Sequence, residues 1–137
     1  MGRIIVHLHG KPSQRNYAAL LEDYSTRLKS KIKIEYYNSK MTPEDYLSSL
    51  PSGAILCDEG GTQYSSIEFA DRISEWIIST SDIHLCIGPA DGFPKGHGKD
   101  MLSLSSMTLP HELAAVVLIE QIYRSFEINR GTSYHRI

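Results

Sequence analysis

The sequence has few cysteines, no long apolar run and no excess of positive charge. Its two cysteines, Cys57 and Cys86, lie far apart in apolar stretches and outside any CxxC pair, which indicates reduced core thiols rather than a disulfide or a zinc site. No run reaches the roughly 18 apolar residues of a membrane span, and the first one is too short for a signal peptide. We therefore expect a cytoplasmic protein that makes no contact with a membrane.

Charge is nearly balanced, with 14 Lys and Arg against 16 Asp and Glu and a net charge of −2. A protein that coats nucleic acid is usually basic, so we expect no DNA partner and only a local contact with RNA. Two basic groups are candidates for that contact, although the first is equally consistent with a solvated surface. They are Arg27, Lys29, Lys31 and Lys33, and near the C-terminus Arg124, Arg130, His135 and Arg136.

Motifs for metals and for nucleotide phosphates are also missing. His7, His9 and His84 fall on predicted strands without Asp, Glu or Cys at metal-ligand spacing, which favours structural or surface histidines and predicts no metal site. The glycine-rich turn at 88–92 matches neither GxGxxG nor GxxxxGK[ST], so a triphosphate site is not predicted.

What the sequence does contain is an alternation of strands and helices. Strands are predicted at 3–10, 33–38, 53–61 and 82–92, with a weaker one at 101–106. Helices are predicted at 13–30 with Ser13 as N-cap, from the Thr42 cap and Pro43 onward, at 65–78, and from Pro110 to about Arg130. This order predicts a single domain over residues 1–137, an α/β fold whose mostly parallel sheet carries helices on both faces.

Ligands of such sheets bind at the carboxyl ends of the strands, where three loops here should converge. The last of them is uncharged, and Leu104, Met107 and Leu109 are suited to pack on a flat ring while backbone groups bind its polar edge. This lining favours an adenine-containing ligand without a triphosphate. The hydroxyl-bearing residues before His111 lack the turn that surrounds a catalytic serine, so a Ser-His nucleophile is not predicted.

Three segments, "LCDEGG", "IGPADGF" and "LSLSSMTLPHELAAVVLIEQIYRSFEINRGTSYHRI", together resemble the ribosomal RNA large subunit methyltransferase H family of the SPOUT class. The similarity extends from about residue 55 to residue 137 and is looser before that. The resemblance implies a homodimer with a C-terminal trefoil knot. It also implies methyl transfer from S-adenosylmethionine to N3 of a pseudouridine in the 23S rRNA of the assembled ribosome.

The same resemblance assigns roles to residues. The expected cofactor-binding residues are Leu56, Gly88, Leu104, Ser105, Ser106, Met107, Thr108 and Leu109. The expected catalytic residues on the RNA side of the pocket are His111, Tyr134, His135 and Arg136. Because the methyl group of a sulfonium is already activated, in-line positioning of donor and acceptor suffices, and no metal is needed.

One position leaves alternatives open. Ala115 stands where members of the family usually carry an arginine in the opening turns of the last helix. Together with the mildly acidic pI of about 6.3, this allows a SPOUT methyltransferase with a different RNA target. It also allows a cofactor-binding, ribosome-associated module that does not catalyse.

Overall fold

A computed structural model describes residues 2–136 of the chain. Its strands are β1 (Ile4–His9), β2 (Ile32–Tyr37), β3 (Ile55–Gln63), β4 (Ile83–Ile87) and β5 (Met101–Ser103). Its helices are α1 (Arg15–Leu28), α2 (Pro43–Ser49), α3 (Ser66–Ile78) and α4 (His111–Arg130), and a 3₁₀ turn over Lys29–Lys31 follows α1. The predicted elements are all present, with ends shifted by a few residues.

The five strands form one sheet in the order β2-β1-β4-β3-β5, and every neighbouring pair is parallel. Helices α1 and α3 connect β1 to β2 and β3 to β4, as parallel pairing requires. The predicted α/β class is therefore confirmed. Between β4 and β5 the chain runs through residues 88–100 without regular structure.

Hydrophobic side chains divide into one cluster on each face of the sheet. On the first face α1, α3 and α4 pack over strand residues such as Val6 and Leu85. On the second face the smaller α2 contributes Tyr46, which packs with Leu56, Cys86 and the loop residue Phe93. Helices on both faces are thus confirmed, although the two layers differ greatly in size.

Both cysteines are free thiols, as the sequence predicts. Cys86 is fully buried, and this burial raises the pKa of its thiol to about 12, so that it stays protonated at neutral pH.

The start of α1 is capped differently from the prediction. Gln14, and not Ser13, is the N-cap residue, and neither side chain caps the helix. Instead the carboxylate of Glu112, in the first turn of α4, accepts hydrogen bonds from the backbone N–H and hydroxyl of Ser13 and from the N–H of Gln14. Although burial opposes it, these bonds lower the pKa of Glu112. The prediction for Ser13 was wrong because a carboxylate accepts more of the free donors than a single hydroxyl can.

The next two helices are both capped by side chains close by in the sequence. Thr42 accepts a hydrogen bond from the N–H of Asp45 with Pro43 at the first helical position, so this cap is confirmed. Ser65, which opens the predicted 65–78 segment, forms a capping box with Glu68. Both local signals agree with the structure because no distant group competes for them.

Helix α4 is buried on several sides because α1 and α3 pack on it from two directions. Its central residues Leu118, Ile119 and Ile122 are 0% exposed. Ala115 is also buried, at 3% exposure, so a side chain at this position faces the core rather than solvent. The alanine in place of the arginine therefore does not remove a charge from an exposed basic surface.

The three histidines on the strands have structural contacts. The Nδ1 atom of His7 lies 2.8 Å from the hydroxyl of Tyr37, and its Nε2 atom lies 2.9 Å from Nδ1 of His84. His9 donates a hydrogen bond to the carbonyl of Met41. Within residues 2–136 there is no group of three or more side chains arranged to bind a metal ion.

Acid is expected to destabilise the fold through His7. Burial, followed by the charge of His84, lowers the pKa of His7 to about 4. Between about pH 6.5 and 4 the unfolded chain therefore binds a proton that the folded chain does not, and the free energy of unfolding falls as the pH falls. Urea unfolding of wild type and His7→Gln over this range measures the effect. A slope that is identical in both proteins would contradict it, and His97→Gln is the control.

No helix within residues 2–136 has both the length and the apolar character needed to cross a membrane.

Candidate functional site

A cavity of about 250 Å³ lies where the loop after β4, the loop after β5 and the middle of β3 meet. It is open to solvent and lies at the carboxyl end of β4, the edge of the sheet at which a ligand site was predicted. The lining residues are 57–59, 87–93, Leu104, Ser105, 107–109, His111 and Ala114.

The wall next to β4 depends on a glycine. A Cβ atom at Gly88 would lie 3.1 Å from two ring atoms of Phe93, closer than ordinary van der Waals contact. The Phe93 ring is itself buried and stacks on Tyr46 with 5.9 Å between ring centroids. Tyr46 in turn donates a 2.7 Å hydrogen bond to the carbonyl of Ile87. The loop is therefore held against the strand end by packed rings.

The opposite wall is the uncharged loop before α4, and its hydroxyl groups hold its shape. Ser103 donates a hydrogen bond to the carbonyl of Ser105, and the hydroxyl of Ser105 accepts one from the N–H of Met107. Thr108 donates a very short hydrogen bond to the carboxylate of Glu59 across the cavity. Met107 is 75% exposed, so its side chain is free to pack on a ligand.

Most of the predicted cofactor-binding residues lie around this cavity. Six of them, together with His111, line it: Gly88, Leu104, Ser105, Met107, Thr108 and Leu109. Leu56 does not, because it points into the α2-side core, while its neighbour Cys57 faces the cavity. Ser106 is exposed and outside the lining.

The other predicted catalytic residues lie elsewhere in the same chain. Tyr134 donates a 2.8 Å hydrogen bond to Glu120, and His135 lies 3.0 Å from Arg124, which also binds Glu120. Glu120 follows His111 by nine residues of helix, roughly 13 Å along its axis. Arg136 is exposed beside this group. The structure therefore does not bring the tail of a chain to the cavity of that chain.

Tyr134 is held as a hydrogen-bond donor. Burial, followed by its bonds with Tyr24 and Glu120, raises the pKa of Tyr134 well above its usual range. Its ring also packs edge-on against Tyr123, with 4.8 Å between centroids. We therefore expect Tyr134 to position the tail rather than to accept a proton.

Three carboxylates line the cavity, and the sequence analysis did not assign them: Asp58, Glu59 and Asp91. Asp58 accepts a hydrogen bond from the N–H of Gly60, which holds its carboxylate against the backbone of β3. No Lys or Arg is among the described lining residues. A signal was present in the sequence, since Asp58 and Glu59 directly follow the apolar residues of a predicted strand and Asp91 lies in the turn after the next one. A cavity with this charge favours a cationic ligand over a phosphate.

Only a glycine fits at position 61, for a steric reason that the sequence did not show. A Cβ atom there would lie 2.5 Å from the backbone carbon of Met101, so β5 approaches β3 too closely for any side chain.

The parallel sheet with an open, acidic cavity at the carboxyl end of β4 defines the class: an α/β protein with a candidate ligand site at the edge of its sheet. The model described as "Predicted SPOUT methyltransferase" matches residues 3–135. "Ribosomal RNA large subunit methyltransferase H" of Anaeromyxobacter sp. is 31% identical over 98% of this chain and 99% of its own length. The protein of the same name from Laribacter hongkongensis is 33% identical over 83% of this chain and 86% of its own. The protein of this name from Nitrosomonas eutropha is 42% identical over 64% of this chain and 60% of its own length.

The chain therefore belongs to the ribosomal RNA large subunit methyltransferase H family of SPOUT methyltransferases. This confirms the resemblance noted in the sequence.

Proposed function

We propose that this protein transfers a methyl group from S-adenosylmethionine to N3 of a pseudouridine in the 23S rRNA of the assembled ribosome. The observation that carries the proposal is the cavity itself, which combines an uncharged, backbone-rich loop with three carboxylates. We further propose that the protein acts as a homodimer in the cytoplasm and that its fold contains the C-terminal trefoil knot.

The cavity residues fit this methyl donor. Leu104, Leu109 and the exposed Met107 offer an apolar surface for adenine, and the bent loop around Ser105 presents backbone groups to its edge. The carboxylates of Asp58, Glu59 and Asp91 complement the ammonium and sulfonium charges. When bound, the donor supplies an activated methyl group. The protein residues need to align the acceptor nitrogen with it and to exclude water.

The remaining chemistry is removal of the N3 proton of the acceptor. His111 lines the cavity and has a nitrogen 3.9 Å from the carboxylate of Glu112. An arginine beside the acceptor would stabilise the imide anion and lower its pKa. We assign the proton to His111, or to His135 once its Nδ1 is released from Arg124, and the anion stabilisation to Arg136.

Such a site requires two chains. In one chain Tyr134 and His135 are bound to α4 roughly 13 Å from His111, so the tail cannot serve its own cavity while these contacts last. A symmetric dimer can keep the tail bound to α4 of its own chain and still place it at the cavity of the other chain.

Two measurements test the proposal. Titration calorimetry with S-adenosylmethionine should show saturable binding to the purified protein, and no binding would overturn both the proposed activity and a merely cofactor-binding role. Mass spectrometry of 23S rRNA from a deletion strain should show the loss of one methylpseudouridine. If a methyl group disappears from another RNA position instead, the enzyme has a different target. If the modification map is unchanged, the protein binds the cofactor without catalysis.

Asp91→Asn is expected to weaken S-adenosylmethionine about tenfold, because it removes one charge from the wall of the cavity without changing its shape. Affinity for S-adenosylhomocysteine, which lacks the sulfonium charge, should change less. Calorimetry with both ligands measures the difference, and Asp71→Asn on the exposed surface of α3 is the control. Equal weakening of the two ligands would show that Asp91 does not act on the sulfonium charge.

A further inference from the structure

A second, larger cavity lies on the far side of α1, away from the site described above. This groove has a volume of about 530 Å³ and runs between α1 and the edge strand β2. Its apolar surface includes Ile32, Ile34 and Tyr36, and the Tyr36 ring is 42% exposed. Between Ile32 and Tyr36 the strand advances roughly 13 Å. That length accommodates roughly three to four nucleotides stacked at about 3.4 Å each.

Two lysines lie at opposite ends of the groove. Lys11 follows β1 and lies 5.9 Å above the ring of Tyr36, while Lys29 follows α1 at the other end. Neither lysine forms an ion pair with another of the residues 2–136. The groove therefore offers an exposed aromatic ring with one lysine above it and a second lysine at the opposite end, neither of them in an ion pair within residues 2–136.

Lys29 differs from its basic neighbours in two ways. Arg27 pairs with Asp23, Lys31 lies over the ring of Phe126, and Lys33 pairs with Glu35 on the opposite face of β2. Lys29 also has a φ of 55°, and among the described residues no other non-glycine has a positive φ. Glycine is the usual residue at such a helix end, so the lysine side chain is kept at a cost in stability.

One carboxylate lies in the same groove. Glu22 borders it from α1 and lines it together with Tyr36, and after burial the charge of Glu22 is the second cause that raises the pKa of Tyr36. A carboxylate beside a stacking ring repels phosphate but accepts hydrogen bonds from an amino group on a base.

We propose that this groove binds a single-stranded segment of RNA, with an unpaired base stacked on Tyr36, its amino group on Glu22, and phosphates near the two ends of the segment at Lys11 and Lys29. Stacking on an aromatic ring between basic side chains is the common way in which proteins hold unpaired nucleotides. The proposal rests on the proposed function for the identity of the ligand as RNA. It adds a contact surface distant from the methyl-transfer cavity.

The test is fluorescence anisotropy with labelled octanucleotides, one of alternating cytidine and adenosine and one of uridine. The first should bind more tightly, because uracil has no amino group for Glu22, and Glu22→Gln should reduce the difference. Tyr36→Ala should weaken binding at least about fivefold, whereas Tyr36→Phe, which keeps the ring, should not. Equal binding of both oligonucleotides, or wild-type affinity of Tyr36→Ala, would overturn the proposal.

Lys29→Gly separates binding from folding. It should weaken RNA binding about three- to tenfold at low salt. It should also reduce the slope of log affinity against log salt concentration by about one. It should also raise the urea midpoint, because glycine adopts a positive φ without strain. Lys31→Gln and Lys33→Gln are controls from the same stretch and should leave binding unchanged. If Lys29→Gly binds as wild type does, the lysine is not a phosphate contact and the proposal fails.

The two proposals can fail separately. Groove variants should keep wild-type affinity for S-adenosylmethionine. If they also methylate rRNA as well as wild type does, only the groove proposal is overturned. Oligonucleotide binding in a protein that leaves rRNA unmethylated would overturn only the activity. Loss of ribosome binding in Tyr36→Ala with unchanged oligonucleotide binding would assign the groove to a protein and overturn the RNA ligand.

Discussion

Replacing Arg136 with alanine is expected to lower the turnover of methyl transfer about 100-fold or more while leaving the affinity for S-adenosylmethionine unchanged. Arg136 is exposed and outside the cavity of its own chain. In the proposed dimer it faces the acceptor base and not the methyl donor, so its loss removes no cofactor contact. A guanidinium that stabilises a developing anion typically contributes a factor of this size. Single-turnover methylation of ribosomes and calorimetry of the cofactor measure the two quantities.

Arg130→Ala is the matched control for this variant. Arg130 is an exposed arginine of similar position along the chain, but it is paired with Glu127. Its loss should leave turnover within about twofold of wild type, as for other surface substitutions. Unchanged turnover in Arg136→Ala would show that the tail does not take part in the reaction.

Mixing two inactive variants tests whether the site is shared between chains. When Arg136→Ala is refolded with a variant that cannot bind the cofactor, half of the dimers contain one chain of each. Each of these has one complete site if the tail of one chain serves the cavity of the other, so about one quarter of wild-type activity should return. A mixture that stays inactive would place each site within a single chain.

Gly88→Val should reduce the affinity for S-adenosylmethionine by about 100-fold or more. The sequence alone suggests that the added side chain fills space needed by the ligand. The structure adds a different cause, because a Cβ atom there already presses on the ring of Phe93 at 3.1 Å. Displacing that buried ring deforms the wall of the cavity, and overpacking of this kind usually costs about 1–3 kcal/mol of stability. Calorimetry and urea unfolding measure both effects.

A compensating substitution identifies which cause dominates. Phe93→Leu removes the ring atoms that a side chain at residue 88 meets, so Gly88→Ala combined with Phe93→Leu should bind more tightly than Gly88→Ala alone. Failure of the double variant to recover affinity would mean that the added methyl group blocks the ligand directly. Wild-type affinity of Gly88→Ala would place the cofactor away from this turn.

Local patterns predicted the fold well because they depend on short stretches of chain. The continuous apolar strands and the Thr42 cap needed only neighbouring residues. Ser13 failed as a cap because its competitor, Glu112, comes from 99 residues away. Distant pairings of this kind leave no trace in local sequence spacing.

The candidate site was likewise predictable only where neighbouring residues decide the structure. The loop from Leu104 to Leu109 follows a predicted strand end, and its position at the cavity agrees with that prediction. Whether a strand residue faces the cavity depends on the alternation of the strand, and Leu56 faces the α2-side core while Cys57 faces the cavity. The place of the tail depends on how the chain folds back along α4, which the spacing of residues 131–136 does not encode.

The contact between Glu112 and the start of α1 also links the ligand site to a distant part of the backbone. Glu112 is adjacent to His111, and it accepts hydrogen bonds from the N–H groups of Ser13 and Gln14. A ligand that restrains the first turn of α4 therefore slows the opening of the first turn of α1. Amide hydrogen exchange at residues 13 and 14 becomes a reporter of cavity occupancy, even though neither residue touches the ligand.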